Sequence, residues 1–88
     1  KDGQIYESKR WVDNILDGQW IQYFTNGNVQ KKSHFLMGKR EGEEVSYYID
    51  GSLYYRGMYM NDLKSGGWEY FTKEGVRDTV IYYNNESR

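Results

Sequence analysis

Thr25-Asn26-Gly27-Asn28-Val29-Gln30 lies between two apolar runs, Tyr23-Phe24 before it and Phe35-Leu36-Met37 after it. Asn-Gly between such runs is a strong short-range signal for a β-hairpin. The chain writes nearly the same thing as Ile49-Asp50-Gly51-Ser52-Leu53-Tyr54, and again as Lys73-Glu74-Gly75-Val76-Arg77-Asp78. A hairpin signal repeated at fixed spacing points to a repeat array of hairpins.

The spacing holds along the chain. Gly3, Gly27, Gly51 and Gly75 are 24 apart, and each follows Asp2, Asn26, Asp50 or Glu74. A second ladder, Gly18, Gly42 and Gly66, has the same period. Apolar columns keep step: Tyr23, Tyr47 and Phe71; Ile5, Val29 and Leu53; Trp11, Phe35 and Tyr59. The last unit reads as one residue short after Gly75, which places Val76 in the Ile5 column and Tyr82 in the Trp11 column. The units are then a partial copy over 1–17, full copies over 18–41 and 42–65, and a C-terminal copy over 66–88, all in one domain.

Each unit decodes as two strands and two turns. Around Gly27, a two-residue loop sets Phe24 opposite Val29, whereas a three-residue loop with glycine in the left-handed region sets Tyr23 opposite Val29. The second is preferred, because strand parity then gathers Tyr23, Val29 and Phe35, the best-kept positions, on one face. Glycine suits the site because a Cβ penalises positive φ. A second, looser turn is expected at Asp13-Asn14, Met37-Gly38, Asn61-Asp62 and Asn84-Asn85, residues that tolerate left-handed backbone. About four residues later Gly18, Gly42 or Gly66 opens the next strand. No stretch carries a capped 3.6-residue apolar stripe, so little or no helix is expected. The predicted fold is all-β, an elongated single-layer antiparallel meander of about seven strands built from 24-residue hairpin repeats. One hairpin cannot bury its apolar face alone, so each copy must lean on the next. Lys9 and Arg10 are placed to blunt one edge, and the C-terminal stretch from Thr79 is the sticky one.

Composition agrees and narrows the function classes. The 88 residues include ten Tyr, three Trp and three Phe, with ten Gly and no Pro. Aromatics favour strands, and Pro would interrupt their ladders. A chain this size buries only about 60–65% of its unfolded surface, which disfavours a deep enclosed pocket. No Cys means no disulfide and no thiolate metal site. Twelve basic against thirteen acidic side chains give a net charge of −1 and no bulk attraction to nucleic acid or anionic membrane. No apolar run reaches membrane-span length, and no signal peptide is visible, although a start at Lys1 is compatible with a processed terminus.

Units such as Asp17 to Gly42 resemble the MORN-repeat variant of bacterial proteins, with its G-x-W-x-x-Y-x-x-x-G-x-V form, and the resemblance runs the length of the chain. Trp20 and Trp68 fit the pattern, while Glu44 departs from it; the turn glycines and the Tyr23, Tyr47 and Phe71 column fit throughout. The resemblance implies an elongated antiparallel sheet serving as a non-enzymatic scaffold. Some bacterial members are labelled antitoxins, which implies a toxin as the partner; relatives with the classical repeat are linked to membrane attachment or protein interaction. A bacterial setting favours the cytoplasm slightly and leaves export open.

Catalytic chemistry finds little support. His34 is the one histidine, on a return strand with no acid nearby in sequence to orient it, and no nucleophile elbow is present. Glu43 and Glu44 are adjacent, so a strand points them to opposite faces. No metal-ligand spacing is visible, so no catalytic, metal or cofactor residue is expected. Lys31-Lys32 and Lys39-Arg40 sit near aromatics, but Glu41, Glu43 and Glu44 offset them, which reads as solvated surface rather than a nucleic-acid platform. The second face is expected to hold Trp20, Phe24, Leu36, Tyr54, Met58 and Met60, together with Tyr48 and Trp68. Aromatics and Met are favoured in interface cores. The expected contacts are therefore Trp20, Phe24, Tyr48, Tyr54 and Trp68, binding a protein partner or a second copy of the chain. The alternative is a carbohydrate or cell-wall module that stacks the same rings on sugars.

Overall fold

The structure, a computed structural model, describes residues 7–84. Gly3 and Asn85 lie outside that range. The strands are β1 (Glu7–Ser8), β2 (Trp11–Val12), β3 (Ile15–Leu16), β4 (Gly18–Tyr23), β5 (Val29–Leu36), β6 (Lys39–Arg40), β7 (Gly42–Tyr47), β8 (Leu53–Met60), β9 (Leu63–Phe71) and β10 (Arg77–Tyr83). The main sheet runs β1-β4-β5-β7-β8-β9-β10, every pair antiparallel, with β6 also on β5 and a small β2-β3 ribbon beside it. It is the expected all-β meander in a single layer. Its extents are 48 × 42 × 11 Å, and its radius of gyration is 14.5 Å. A compact globule of this length would have about 12 Å.

The Gly27 turn takes the three-residue form. The Phe24 N–H donates to Asn28 O (2.8 Å) and the Gly27 N–H to Phe24 O (2.9 Å). The same pair recurs as Tyr48 with Ser52 and Gly51, and as Thr72 with Val76 and Gly75. Gly27, Gly51 and Gly75 have φ of 93, 96 and 89°. The second turns are tighter than expected. Val12 pairs with Ile15, Leu36 with Lys39 and Met60 with Leu63, so only two residues make each reversal. Both are left-handed each time: Asp13 and Asn14 at 51 and 67°, Met37 and Gly38 at 52 and 87°, Asn61 and Asp62 at 53 and 73°. This is the twist that a two-residue hairpin needs.

Neighbouring copies are bolted together at these turns. The Met37 N–H donates to Asp17 Oδ1 (2.9 Å), and the Asn61 N–H to Glu41 Oε1 (2.7 Å). The Gly38 N–H donates to Leu16 O (2.8 Å), and the Asp62 N–H to Arg40 O (2.9 Å). At the other end of the strands, the Asn26 and Asn28 side-chain amides both donate to Ile49 O.

Two sequence expectations are corrected. The first concerns the faces. A β-bulge follows each three-residue loop: Gln22 pairs with Lys31, but Tyr23 pairs with Val29. The extra residue inverts parity. Phe35 therefore shares a face with Trp20, their ring centroids 5.6 Å apart, and Tyr23 faces the other way. Leu36 and Met58, expected beside Trp20, fall on the Tyr23 face, since Leu36 follows Phe35 in β5 and Met58 pairs with Glu43. The second correction concerns the last repeat, which lacks no residue. Gly18, Gly42 and Gly66 pair with Phe35, Tyr59 and Tyr83, so Tyr83 and not Tyr82 continues that column. Val76 takes the loop position of Asn28 and Ser52, and Arg77 the position of Val29 and Leu53.

The buried residues line up across one face. Trp20 opposes Ser33, Glu44 opposes Gly57, and Trp68 opposes Ile81. Trp68 is 1% exposed, although among the described residues the sheet has no second layer. Its indole lies directly on Gly57, where an added Cβ would come within 2.1 Å of the ring. Its Nε1–H donates to Met58 O (3.1 Å), and the rings of Tyr55, Tyr59 and Tyr83 surround it at 5.1–6.3 Å. The opposite face is charged: Arg56 Nε and Arg77 Nη1 meet the Glu69 carboxylate at 2.7 and 2.9 Å. These partners hold the Glu69 carboxyl below its usual range.

Gly57→Ala is expected to lower stability by about 3 kcal/mol or more, because the atoms in the way are the Cγ, Cδ2 and Cε2 of a buried indole hemmed in by three other rings. Gly67→Ala meets first the exposed Tyr82 ring, at 2.9 Å, and is expected to cost well under half as much. Thermal melts of the two variants check the contrast; equal losses would contradict it.

Candidate functional site on the aromatic face

Face geometry concentrates the chemistry. Glu44 stands at the Trp position of the repeat, between Ser33 on β5 and Gly57 on β8, and is 3% exposed. A carboxylate taken out of water must be hydrogen-bonded or paired. Its Oε1 accepts from Ser33 Oγ (2.8 Å) and its Oε2 from Tyr55 Oη (2.7 Å). Arg40 Nε lies 3.5 Å from Oε1, close enough for an ion pair but outside hydrogen-bond geometry. The Arg40 guanidinium also lies over Phe35 and Tyr59. Burial, followed by the Glu44 carboxylate, pushes the Tyr55 hydroxyl far above its ordinary range. Glu44 is the structural centre of the middle repeat, using hydrogen bonds where its neighbours use indoles.

An open groove lies further along the same face, beside β10. It measures about 550 Å³ and is bounded by Tyr48, Tyr54 and Tyr70 on one side and by Thr72, Asp78 and Thr79 on the other. The Tyr48 and Tyr54 ring centroids are 4.9 Å apart, and Tyr54 meets Tyr70 edge-on at 6.2 Å. Tyr48 Oη donates to Phe71 O (2.6 Å), which fixes the ring against the next turn. Burial raises the Tyr48 hydroxyl, and the Tyr54, Asp78 and Glu74 groups add to it. The groove follows from the repeat. Thr72, Asp78 and Thr79 stand 24 residues after Tyr48, Tyr54 and Tyr55. Small polar side chains occupy places that tyrosines fill one copy earlier, and the space they vacate is the groove. Its floor ends at β10, which among the described residues pairs only with β9 and exposes Ile81 and Tyr82.

The five contact residues expected from sequence separate. Tyr48 and Tyr54 come together in the groove. Trp68 is a core side chain with no surface to offer, because Gly57 gives it a place to lie flat. Trp20 is half-buried on β4, away from the groove, its Nε1–H donating to Glu7 Oε1 (3.0 Å). Phe24 is half-buried at the head of its loop. Sequence reasoning missed Tyr70, Asp78 and Thr79; aligning Asp78 with Tyr54 without a gap would have found the groove. His34 is exposed, on the face opposite Phe35. Among the described residues no three or more His, Asp or Glu gather as a metal ion requires. No family model, curated protein or solved structure matches the chain.

The Tyr55 environment has a pH consequence. A phenol whose folded value exceeds its unfolded value of 10.0 contributes stability below pH 10 and loses it as pH rises further. The melting temperature is therefore expected to fall above that pH, and Tyr55→Phe to flatten part of the fall. An unchanged alkaline slope in the variant would contradict the Tyr55–Glu44 contact.

Proposed function

We infer that the chain is a non-enzymatic interaction scaffold, a MORN-variant-like array that binds a protein partner where the tyrosine groove meets the β10 edge. The observation that carries this reading is the coincidence of the two features. The edge of β10, which among the described residues pairs only with β9, offers backbone hydrogen bonds to an added strand, and a groove beside it offers side-chain selectivity. Tyrosine supplies large contact area at low entropy cost. The thin sheet supports the non-enzymatic reading, because its polar clusters are either closed by packing, as at Glu44, or spread along an open surface. An antitoxin role, as the resemblance suggests, makes the partner a toxin held at this edge. A second reading, a carbohydrate module, draws on the same groove, since tyrosine faces beside carboxylates also suit sugar rings.

The test uses protein recovered from its native cells with whatever it retains. Once a partner is identified, its affinity is measured by calorimetry for the wild type, Ile81→Lys and Tyr54→Ala. A charge on the edge and a truncated groove wall are each expected to weaken binding by about tenfold or more, roughly 1.4 kcal/mol. Equal affinity in all three would remove this surface from the interaction.

A further inference from the structure

On the aromatic face several rings carry a cation of the chain itself. Arg40 and Lys64 are 24 positions apart. The Arg40 guanidinium lies 5.2 Å from the Phe35 ring centroid and 5.5 Å from that of Tyr59. The Lys64 ammonium lies 4.8 Å from Trp68 and 5.3 Å from Tyr83. Lys9 does the same over Trp20, at 4.9 Å. At the other end of the strands, no cation of the described residues stands over Tyr48, Tyr54 or Tyr70. These rings line one groove with two carboxylates, Asp78 and Glu74. Lys73 lines it as well, but its charge also acts across the turns on Asp50, whose carboxyl is held low first by the Ser52 N–H and hydroxyl and then by Lys73.

A ring wall opposite carboxylates is complementary to a cation and unfavourable to an anion. Its place beside β10 says what carries the cation, because an extended segment that adds to the edge projects alternate side chains over this face. Resting on the binding reading above, we propose that the Tyr48–Tyr54–Tyr70 groove receives an arginine or lysine side chain of an extended protein segment paired to β10. The partner's cation stacks on the Tyr54 and Tyr70 rings and meets the Asp78 carboxylate. It sets over these rings a cation from outside, as Arg40 and Lys64 set one from within over Phe35, Tyr59, Trp68 and Tyr83. Selectivity then follows from charge: a basic strand is accepted and an acidic one refused.

Two blocked peptides probe the site in isotopically labelled full chain. One alternates threonine and arginine, and its twin carries citrulline, of the same shape but uncharged, for arginine. The arginine peptide is expected to shift the ring resonances of Tyr48, Tyr54 and Tyr70 together with the β10 amides, saturating in the millimolar range. The citrulline twin is expected to bind about fivefold more weakly or worse, and Asp78→Asn to erase most of that difference. Tyr54→Leu, at a position 40% exposed, gives a second variant that keeps an apolar side chain there and is expected to weaken the arginine peptide alike. Equal binding of both peptides with shifted β10 amides overturns the cation receptor and leaves edge binding standing. Shifts from neither peptide at about 10 mM overturn the receptor and tell against edge binding as well. Tyrosine shifts produced by a chitin disaccharide but not by the arginine peptide assign the groove to sugar and overturn the proposal.

Discussion

The indole of Trp68 lying flat on Gly57 is the contact on which the rest of the sheet depends. A single-layer sheet has no opposing layer, so its large side chains must find burial among their own neighbours on one face. That is possible only where a cross-strand neighbour is nearly absent. Glycine at 57 lets the ring reach backbone, and the flanking Tyr55, Tyr59 and Tyr83 rings then close around it. Each such pair contributes about 0.5–1.5 kcal/mol beyond its buried area. In a chain whose whole stability is expected to be about 4–13 kcal/mol, one cluster of this kind is a large share.

From that centre the structure weakens outward in both directions. The next copy substitutes Glu44 and a hydrogen-bonded cluster for the indole, and the first described copy has Trp20 half-buried against Phe35. Towards the C-terminus the aromatic places pass to Thr72, Asp78 and Thr79, and the face opens into the groove. The loosening of packing and the opening of the groove are therefore one event in the sequence. The array is regular in its backbone, with the same turns and the same bolts between copies, and irregular in what it sets on one face.

Much of the backbone was legible in the residues. Asn26-Gly27 and its echoes named both the hairpins and their three-residue loops, because only a few residue types accept that backbone. The positions of the second turns were legible too, but not their tightness, since Met37 in a left-handed conformation carries no sequence signal. Face assignment failed at a definite point. The bulge after each loop adds a residue that no propensity marks, and every side chain beyond it changes sides. The site was half visible for the same reason. Tyr48 and Tyr54 drew attention as aromatics, whereas Asp78 and Thr79 matter for the bulk they lack, which only a correct register reveals. Glu44 looked like a lapse in the repeat, and its burial became evident only with Ser33 and Tyr55 beside it.

Native-state hydrogen exchange followed residue by residue reads the claimed hierarchy directly. Slowest exchange is predicted for the hydrogen-bonded amides of β8 and β9 around Gly57 and Trp68, with protection declining step by step towards β1 on one side and β10 on the other. Uniform protection across the sheet, or a maximum at β4 and β5 near Trp20, would contradict a structure built outward from that one stacked ring.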